Sequence, residues 1–117
     1  MNFLKSIGFA LEGLSEMALH HNNFRLQIVI GVIAVIAGFF FGLNYLEWVA
    51  LILVSGLVLV AEMANSSIEA VVDLITKERK LEAKKAKDIA AGMVFLASWL
   101  SIIIGIFIFG PRVMKFL

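Results

Sequence analysis

Three long apolar stretches dominate the chain, and the polar residues that interrupt them fall in a pattern. Leu26 to Leu46 carries no charge over 21 residues. At 1.5 Å per residue that is roughly 30 Å, about one hydrocarbon core. Ile89 to Pro111 is likewise uncharged. Between them, Trp48 to Ala61 is apolar apart from Ser55, and the pattern then continues to Val72 while admitting Glu62, Asn65 and Glu69. The stretch from Trp48 to Ala61 is too short to cross alone, so the second span must include polar residues. The pattern predicts three transmembrane helices at about 26–46, 48–72 and 88–110, with a tight connection around Gly42 to Glu47 and a longer loop over 73–88. Gly110 and Pro111 are expected to end the third helix.

The first residues follow a different rhythm. Phe3, Leu4, Ile7, Ala10, Leu11, Leu14, Met17 and Ala18 lie on one helical arc. Asn2, Lys5, Ser6, Glu12, Ser15, Glu16 and His20 lie opposite, with Phe9 and Leu19 out of place. This predicts an amphipathic helix over 2–20 lying on the membrane surface. A cleaved signal peptide is not expected, because the apolar run starts late, is long and lacks a small-residue cleavage pattern. The whole chain, 1–117, therefore reads as one all-α integral-membrane domain: three transmembrane helices plus an N-terminal surface helix.

Composition agrees and adds an orientation. The chain is 62% hydrophobic and 16% charged, where a soluble domain is about half apolar and a quarter charged. The formal charge of +1 gives no reason to expect a nucleic-acid partner, and the absence of Cys excludes thiolate metal sites. No Lys or Arg occurs between Arg25 and Lys77. The 73–88 loop, by contrast, carries Lys77, Arg79, Lys80, Lys84, Lys85 and Lys87. The positive-inside rule places this loop and the N-terminus in the cytoplasm, and these six basic residues outweigh Arg112 and Lys115 at the other end.

The polar residues of the second span are the candidate chemistry. On a helix, Glu62, Asn65, Ser66, Glu69, Asp73 and Ser55 share one face about 100° wide. A carboxylate in the bilayer costs a few kcal/mol unless shielded, paired or neutralised. Glu62 and Glu69 stand roughly 10 Å apart along the axis, too far to share a proton. Glu69 and Asp73, one turn apart, suit a hydrated cation such as Mg²⁺. Glu62 lies deeper, in apolar surroundings that suit a general base. Blander readings stand beside these. Glu69 and Asp73 can snorkel to headgroups, and Asn65 can be interhelical glue. Ser55 and Ser66 read as packing residues, and Glu47 as a solvated headgroup neighbour. The basic loop either sets orientation and binds anionic lipid or forms a phosphate-binding surface. Asp88 is a candidate helix N-cap beside Lys87. His20 and His21 are metal ligands or ordinary surface residues. From the residues alone, two function classes compete. One is an enzyme joining a soluble phosphate donor to a lipid hydroxyl. The other is a small ion or proton pathway, and six adjacent basic residues favour the first.

The block Glu62-Met63-Ala64-Asn65-Ser66-Ser67-Ile68-Glu69-Ala70-Val71-Val72-Asp73 resembles the signature of the bacterial integral-membrane diacylglycerol kinase and undecaprenol kinase family. Ala86-Lys87-Asp88 resembles its second block. Weaker matches are Gly13, Asn23-Phe24-Arg25 and Glu47-Trp48. The resemblance implies an ATP- and Mg²⁺-dependent lipid kinase of the bacterial inner membrane, acting as a homotrimer, or a catalytically lapsed homologue. By that resemblance Glu62 is the general base and Asn65 an active-site polar contact. Glu69 is a ligand of the Mg²⁺ held with ATP, and Asp73, Glu78, Lys80, Lys87 and Asp88 are nucleotide-site residues. One position departs. The family usually carries a metal-binding Glu three residues before the Phe of Asn-Phe-Arg, and His21 stands there. The aromatic-His pair of the family's basic loop is also replaced, by Arg79-Lys80. Glu47-Trp48 and Gly110-Pro111 look more like the undecaprenol kinase branch, so the resemblance favours undecaprenol, giving undecaprenyl phosphate, over diacylglycerol, giving phosphatidate.

Overall fold

The computed structural model describes residues 2–117 and contains four helices: α1 (Phe3–His20), α2 (Asn22–Phe41), α3 (Tyr45–Ile75) and α4 (Leu81–Met114). No strand occurs among the described residues. Asn2 starts α1, its side-chain oxygen accepting from the Lys5 amide at 2.9 Å. A single extended residue, His21, separates α1 from α2. Arg25 closes this elbow by folding back onto α1. Its guanidinium donates to Leu19 O at 2.8 Å and Ala18 O at 3.2 Å, and also to Asn22 Oδ1. The last carbonyls of α1 thereby gain donors they would otherwise lack.

α2 ends one turn earlier than the apolar run suggests. Gly42 takes φ +70°, in the left-handed region that favours glycine, and its amide and that of Leu43 both bond to Gly38 O. Asn44 then opens α3 with a reciprocal cap. It accepts from the Glu47 amide at 2.9 Å, while Glu47 Oε1 accepts from the Asn44 amide at 3.1 Å. The connection is Gly42–Asn44, so the first span runs 22–41 rather than 26–46, and α3 begins before Trp48.

The second connection is also shorter than 73–88. Only Thr76 to Lys80 is non-helical. Leu81-Glu82-Ala83-Lys84-Lys85-Ala86-Lys87-Asp88 is built from strong helix formers, and the charge density that marks a loop is here the solvated first turns of α4. Asp88 is therefore not an N-cap. That position is Lys80, with no side-chain cap bond. Nor does Pro111 end α4, which continues to Met114 with Pro111 inside it. The nearby Ile108 carbonyl accepts from the Arg112 guanidinium at 2.8 Å.

α3 packs most extensively on α4, then on α2, while α1 touches α2. One core cluster joins Leu43, Leu51 and Ile108, with Trp48, Ala34 and Phe109 against it. A second, Val58, Ala61 and Ala97, lies further along the α3–α4 seam. α2 and α3 meet closely at Gly38, where a Cβ would lie 2.7 Å from the Trp48 ring. Most apolar side chains of α2–α4 nonetheless point outward, among them Ile33, Phe39, Leu53 and Phe107. All three helices are long and apolar enough to cross a bilayer. The protein is an all-helical, multi-pass membrane protein.

Candidate active site

Burial along the polar face of α3 falls toward its C-terminal end. Glu62 is 6% exposed, the one buried polar or charged residue among those described. Asn65 and Ser66 are half-buried, and Glu69 and Asp73 are exposed. The helical rise sets Glu62 and Asp73 roughly 16 Å apart along the axis. One face thus carries carboxylates from the packed interior to the helix end.

Each polar group on this face has its own circumstance. The buried Asn65 Oδ1 has no hydrogen-bond partner, and leaving such an acceptor unsatisfied costs about 1–3 kcal/mol. Ser66 Oγ lies 3.3 Å from His21 Nδ1, so this serine ties the α1–α2 elbow to α3 and is not simply a packing residue. Ser67 turns back to Met63 O and Ala64 O and is satisfied within α3. Glu69 makes no ion pair among the described residues, whereas Asp73 binds Lys87 Nζ at 2.7 Å across the α3–α4 seam. Glu62 also makes no ion pair among the described residues.

The basic turn shapes the adjoining surface. A cleft of about 640 Å³ is lined by Glu78, Lys80, Lys84, Lys87 and Asp88 together with Lys77 and Arg79. A neighbouring one of about 490 Å³ lies against Val72, Ile75, Glu78 and Lys80. Within the larger cleft Lys84 pairs with Asp88 at 2.6 Å and, more loosely, Lys80 with Glu78 at 3.8 Å. The structure therefore brings Glu78, Lys80, Lys87 and Asp88 to one cleft, and attaches Asp73 to it through Lys87. Glu62 and Asn65 lie deeper and do not line it. Glu69, one turn from Asp73, stands between the two zones.

No group of three His, Asp or Glu side chains among the described residues is arranged to enclose a metal ion. A nucleotide-borne dication needs less, since Mg²⁺ is typically held by one or two carboxylates with phosphate and water completing its shell. An exposed, unpaired Glu69 beside a phosphate-compatible cleft fits that requirement. At the opposite end of the molecule Glu47 is not a solvated headgroup neighbour. Arg112 clamps it with two hydrogen bonds of 2.5 and 2.6 Å.

The family described as prokaryotic diacylglycerol kinase matches residues 8–109, nearly the whole chain and every element described above. The chain belongs to this family. Similar proteins include an undecaprenol kinase of Bacillus subtilis (strain 168), 38% identical over 110 residues that cover 94% of this chain and 89% of the relative. A diacylglycerol kinase of Synechocystis is 37% identical over 89% of this chain and 60% of its own, longer length. A diacylglycerol kinase of Escherichia coli (strain K12) is 31% identical over 86% of this chain and 82% of the relative. Membership of the prokaryotic diacylglycerol kinase family makes the protein a lipid kinase. The His21–Ser66 tie and the Glu47–Arg112 clamp are particulars of this chain's structure that its sequence did not disclose.

Proposed function

We propose that this chain transfers the γ-phosphoryl group of ATP directly to the hydroxyl of undecaprenol, giving undecaprenyl phosphate. That it is a lipid kinase follows from its family. The observation that supports the finer reading is the burial gradient along α3, from the buried Glu62 to the exposed Glu69 and Asp73 beside the lysine-lined cleft.

In this reading Glu62 accepts the proton of the lipid hydroxyl, whose oxygen attacks the γ-phosphorus in line as ADP departs. No covalent phosphoenzyme forms. Asn65 offers a side-chain amide to orient the reacting groups. Lys87, held by Asp73, and Lys80 present ammonium groups to the phosphates, while Glu78 and Asp88 fix the neighbouring lysines. Glu69 holds the dication that accompanies ATP, Mg²⁺ in the simplest case. That ion would neutralise phosphate charge. The lapsed-homologue and ion-pathway readings gain no support from the fold or the comparisons.

Undecaprenol is preferred over diacylglycerol on Glu47-Trp48 and Gly110-Pro111, and the extended likeness to the Bacillus subtilis relative points the same way. Diacylglycerol, giving phosphatidate, is the second lipid to test. The proposal includes a homotrimer in the bacterial inner membrane, with α1 on the cytoplasmic surface and Thr76–Lys80 in the cytoplasm. A single copy leaves Glu62 without an ion-pair partner among the described residues, and three copies would enclose it further. The test uses purified protein in detergent with labelled Mg-ATP and each lipid separately. Label should enter undecaprenol, and Glu62→Gln should abolish the transfer. Failure of both lipids to gain label would end the proposal.

A further inference from the structure

The end of the molecule opposite the Thr76–Lys80 turn carries one more cation than its own residues neutralise. Glu47 is the only acidic residue between Glu16 and Glu62, and none follows Asp88. Arg112 and Lys115 therefore have one carboxylate between them, and Arg112 takes both of its oxygens. Lys115 is exposed and makes no ion pair among the described residues. Arg112 also keeps donors in reserve. Of the five N–H groups of a guanidinium, three go to Glu47 Oε1, Glu47 Oε2 and Ile108 O, which leaves two. Both cationic side chains line a hollow of about 440 Å³ together with Phe40, Phe41 and Phe116. Two helix ends build it. Phe40 and Phe41 close α2, while Phe116 follows α4 and turns back onto them, its ring centroid 6.3 and 5.8 Å from theirs. The Phe116 amide donates to Val113 O at 3.0 Å and holds this return. The Phe40 and Phe116 rings are largely exposed, so the hollow has cationic walls and an apolar rim. Its level is set by the uncharged run that ends at Pro111, immediately before Arg112. Aromatic rings concentrate at such boundaries, where the lipid headgroups begin.

We propose that this hollow binds the phosphate of an anionic phospholipid. Lys115 Nζ and the remaining Arg112 N–H groups donate to the phosphate oxygens, and the Phe40 and Phe116 rings lie against the start of the acyl chains. Charge selects the class of lipid. A zwitterionic headgroup brings its own cation, and the one carboxylate that could receive it is already held by Arg112. Free phosphate would gain the charge-assisted hydrogen bonds but nothing from the exposed rings. A lysine at a helix C-terminus also gains from the macrodipole, yet that contribution needs neither a hollow nor an aromatic rim. The site lies at the other end of α4 from the basic cleft and does not depend on the kinase reading.

The experiment uses the full-length protein in neutral detergent, titrated separately with phosphatidylglycerol, phosphatidylcholine and inorganic phosphate. Retained lipid is counted by native mass spectrometry. The wild-type protein should hold phosphatidylglycerol about tenfold more tightly than phosphatidylcholine, the scale of one charge-assisted hydrogen bond. Lys115→Ala should lose that preference and Lys115→Arg should keep it, both with the wild-type melting temperature in the absence of lipid. The lysines near the basic cleft also attract anionic lipid, so Lys85→Ala, an exposed cation at that end, is the control and should leave the tight binding unchanged. Phe116→Ala should weaken phosphatidylglycerol several-fold and leave inorganic phosphate unaffected. A Lys115→Ala protein with wild-type affinity for phosphatidylglycerol overturns the proposal and leaves Lys115 a snorkelling cation. Equal losses in Lys115→Ala and Lys85→Ala overturn it in favour of general attraction between opposite charges. Phosphatidylcholine bound as tightly as phosphatidylglycerol, or inorganic phosphate displacing the lipid at equal concentration, overturns it as well. A Phe116→Ala protein that binds phosphatidylglycerol normally removes the lipid from the assignment and leaves a bare anion site.

Discussion

The two ends of the α3–α4 pair are built on opposite rules. At the Glu47 end the polar groups, Lys115 apart, are matched within the chain. Glu47 caps α3 and is clamped by Arg112, and Arg112 also satisfies Ile108 O. Trp48 fills the space that Gly38 leaves open, and Phe41 sits against Phe109 and Phe116. At the Thr76 end the interactions are looser. Lys84–Asp88 and Lys80–Glu78 are exposed pairs, Glu69 is unpaired, and Asn65 Oδ1 is orphaned. Exposed pairs of this kind contribute little to stability. In the proposed reading the difference separates two tasks on one pair of helices: the Glu47 end holds the fold, and the Thr76 end, with its exposed pairs, offers charges to ligands.

Substitutions can break or sharpen that division. Glu62→Gln should cost most, on the order of a thousandfold in kcat, the scale of general-base catalysis. Its melting temperature should hold or rise, because an uncompensated buried carboxyl is removed. A large drop in stability with activity retained would reverse the assignment of this end. Glu69→Ala should raise the metal concentration needed for half-maximal activity by roughly a hundredfold, with no loss of fold. Gly38→Ala should destabilise by about 1–3 kcal/mol, since its Cβ must displace the Trp48 ring. Protein that remains folded should keep its kcat. Arg112→Ala should lower the melting temperature in the same direction, and normal stability there would remove the clamp from the account. Lys84→Ala should be the mildest, a few tenths of a kcal/mol at an exposed i,i+4 pair. Thermal unfolding followed by circular dichroism distinguishes these cases from losses of rate.

Much of this architecture was legible because the bilayer is a harsh filter on charge. The absence of Lys and Arg between Arg25 and Lys77 marked two spans, and the helical period then placed Glu62, Asn65, Ser66, Glu69 and Asp73 on one face. The burial order along α3 follows the depth expected from that face. Element ends were less readable, because charge was taken as a sign of loop. Leu81 to Asp88 is both highly charged and strongly helix-forming, and helix formation prevails. Pro111 misled in the other direction, since a helix end tolerates one missing amide bond when the turn around it is held, here by Arg112. Contacts made by folding were not legible at all. Glu47 and Arg112 are 65 residues apart, and His21 and Ser66 are 45 apart. No local pattern joins either pair. The candidate residues divide in the same way: the carboxylates were readable along one helix face, while the contact of His21 with Ser66 depends on how α1 and α2 return to α3.

The lengths of α3 and α4 set a measure for the reaction. At 31 and 34 residues they are about 46 and 51 Å long, and the molecule's longest extent is 53 Å. A hydrocarbon core is only about 30 Å thick. Both helices therefore act as an unbroken ruler through the interface, with no hinge between Glu62 and the cleft at the helix end. The gap between a water-borne donor and a lipid-borne acceptor is then fixed by counting residues. One residue inserted between Glu62 and Asp73 would lengthen the ruler by about 1.5 Å and swing everything beyond it by about 100°. The rotation, far more than the added length, would turn the donor's groups away from the lipid's.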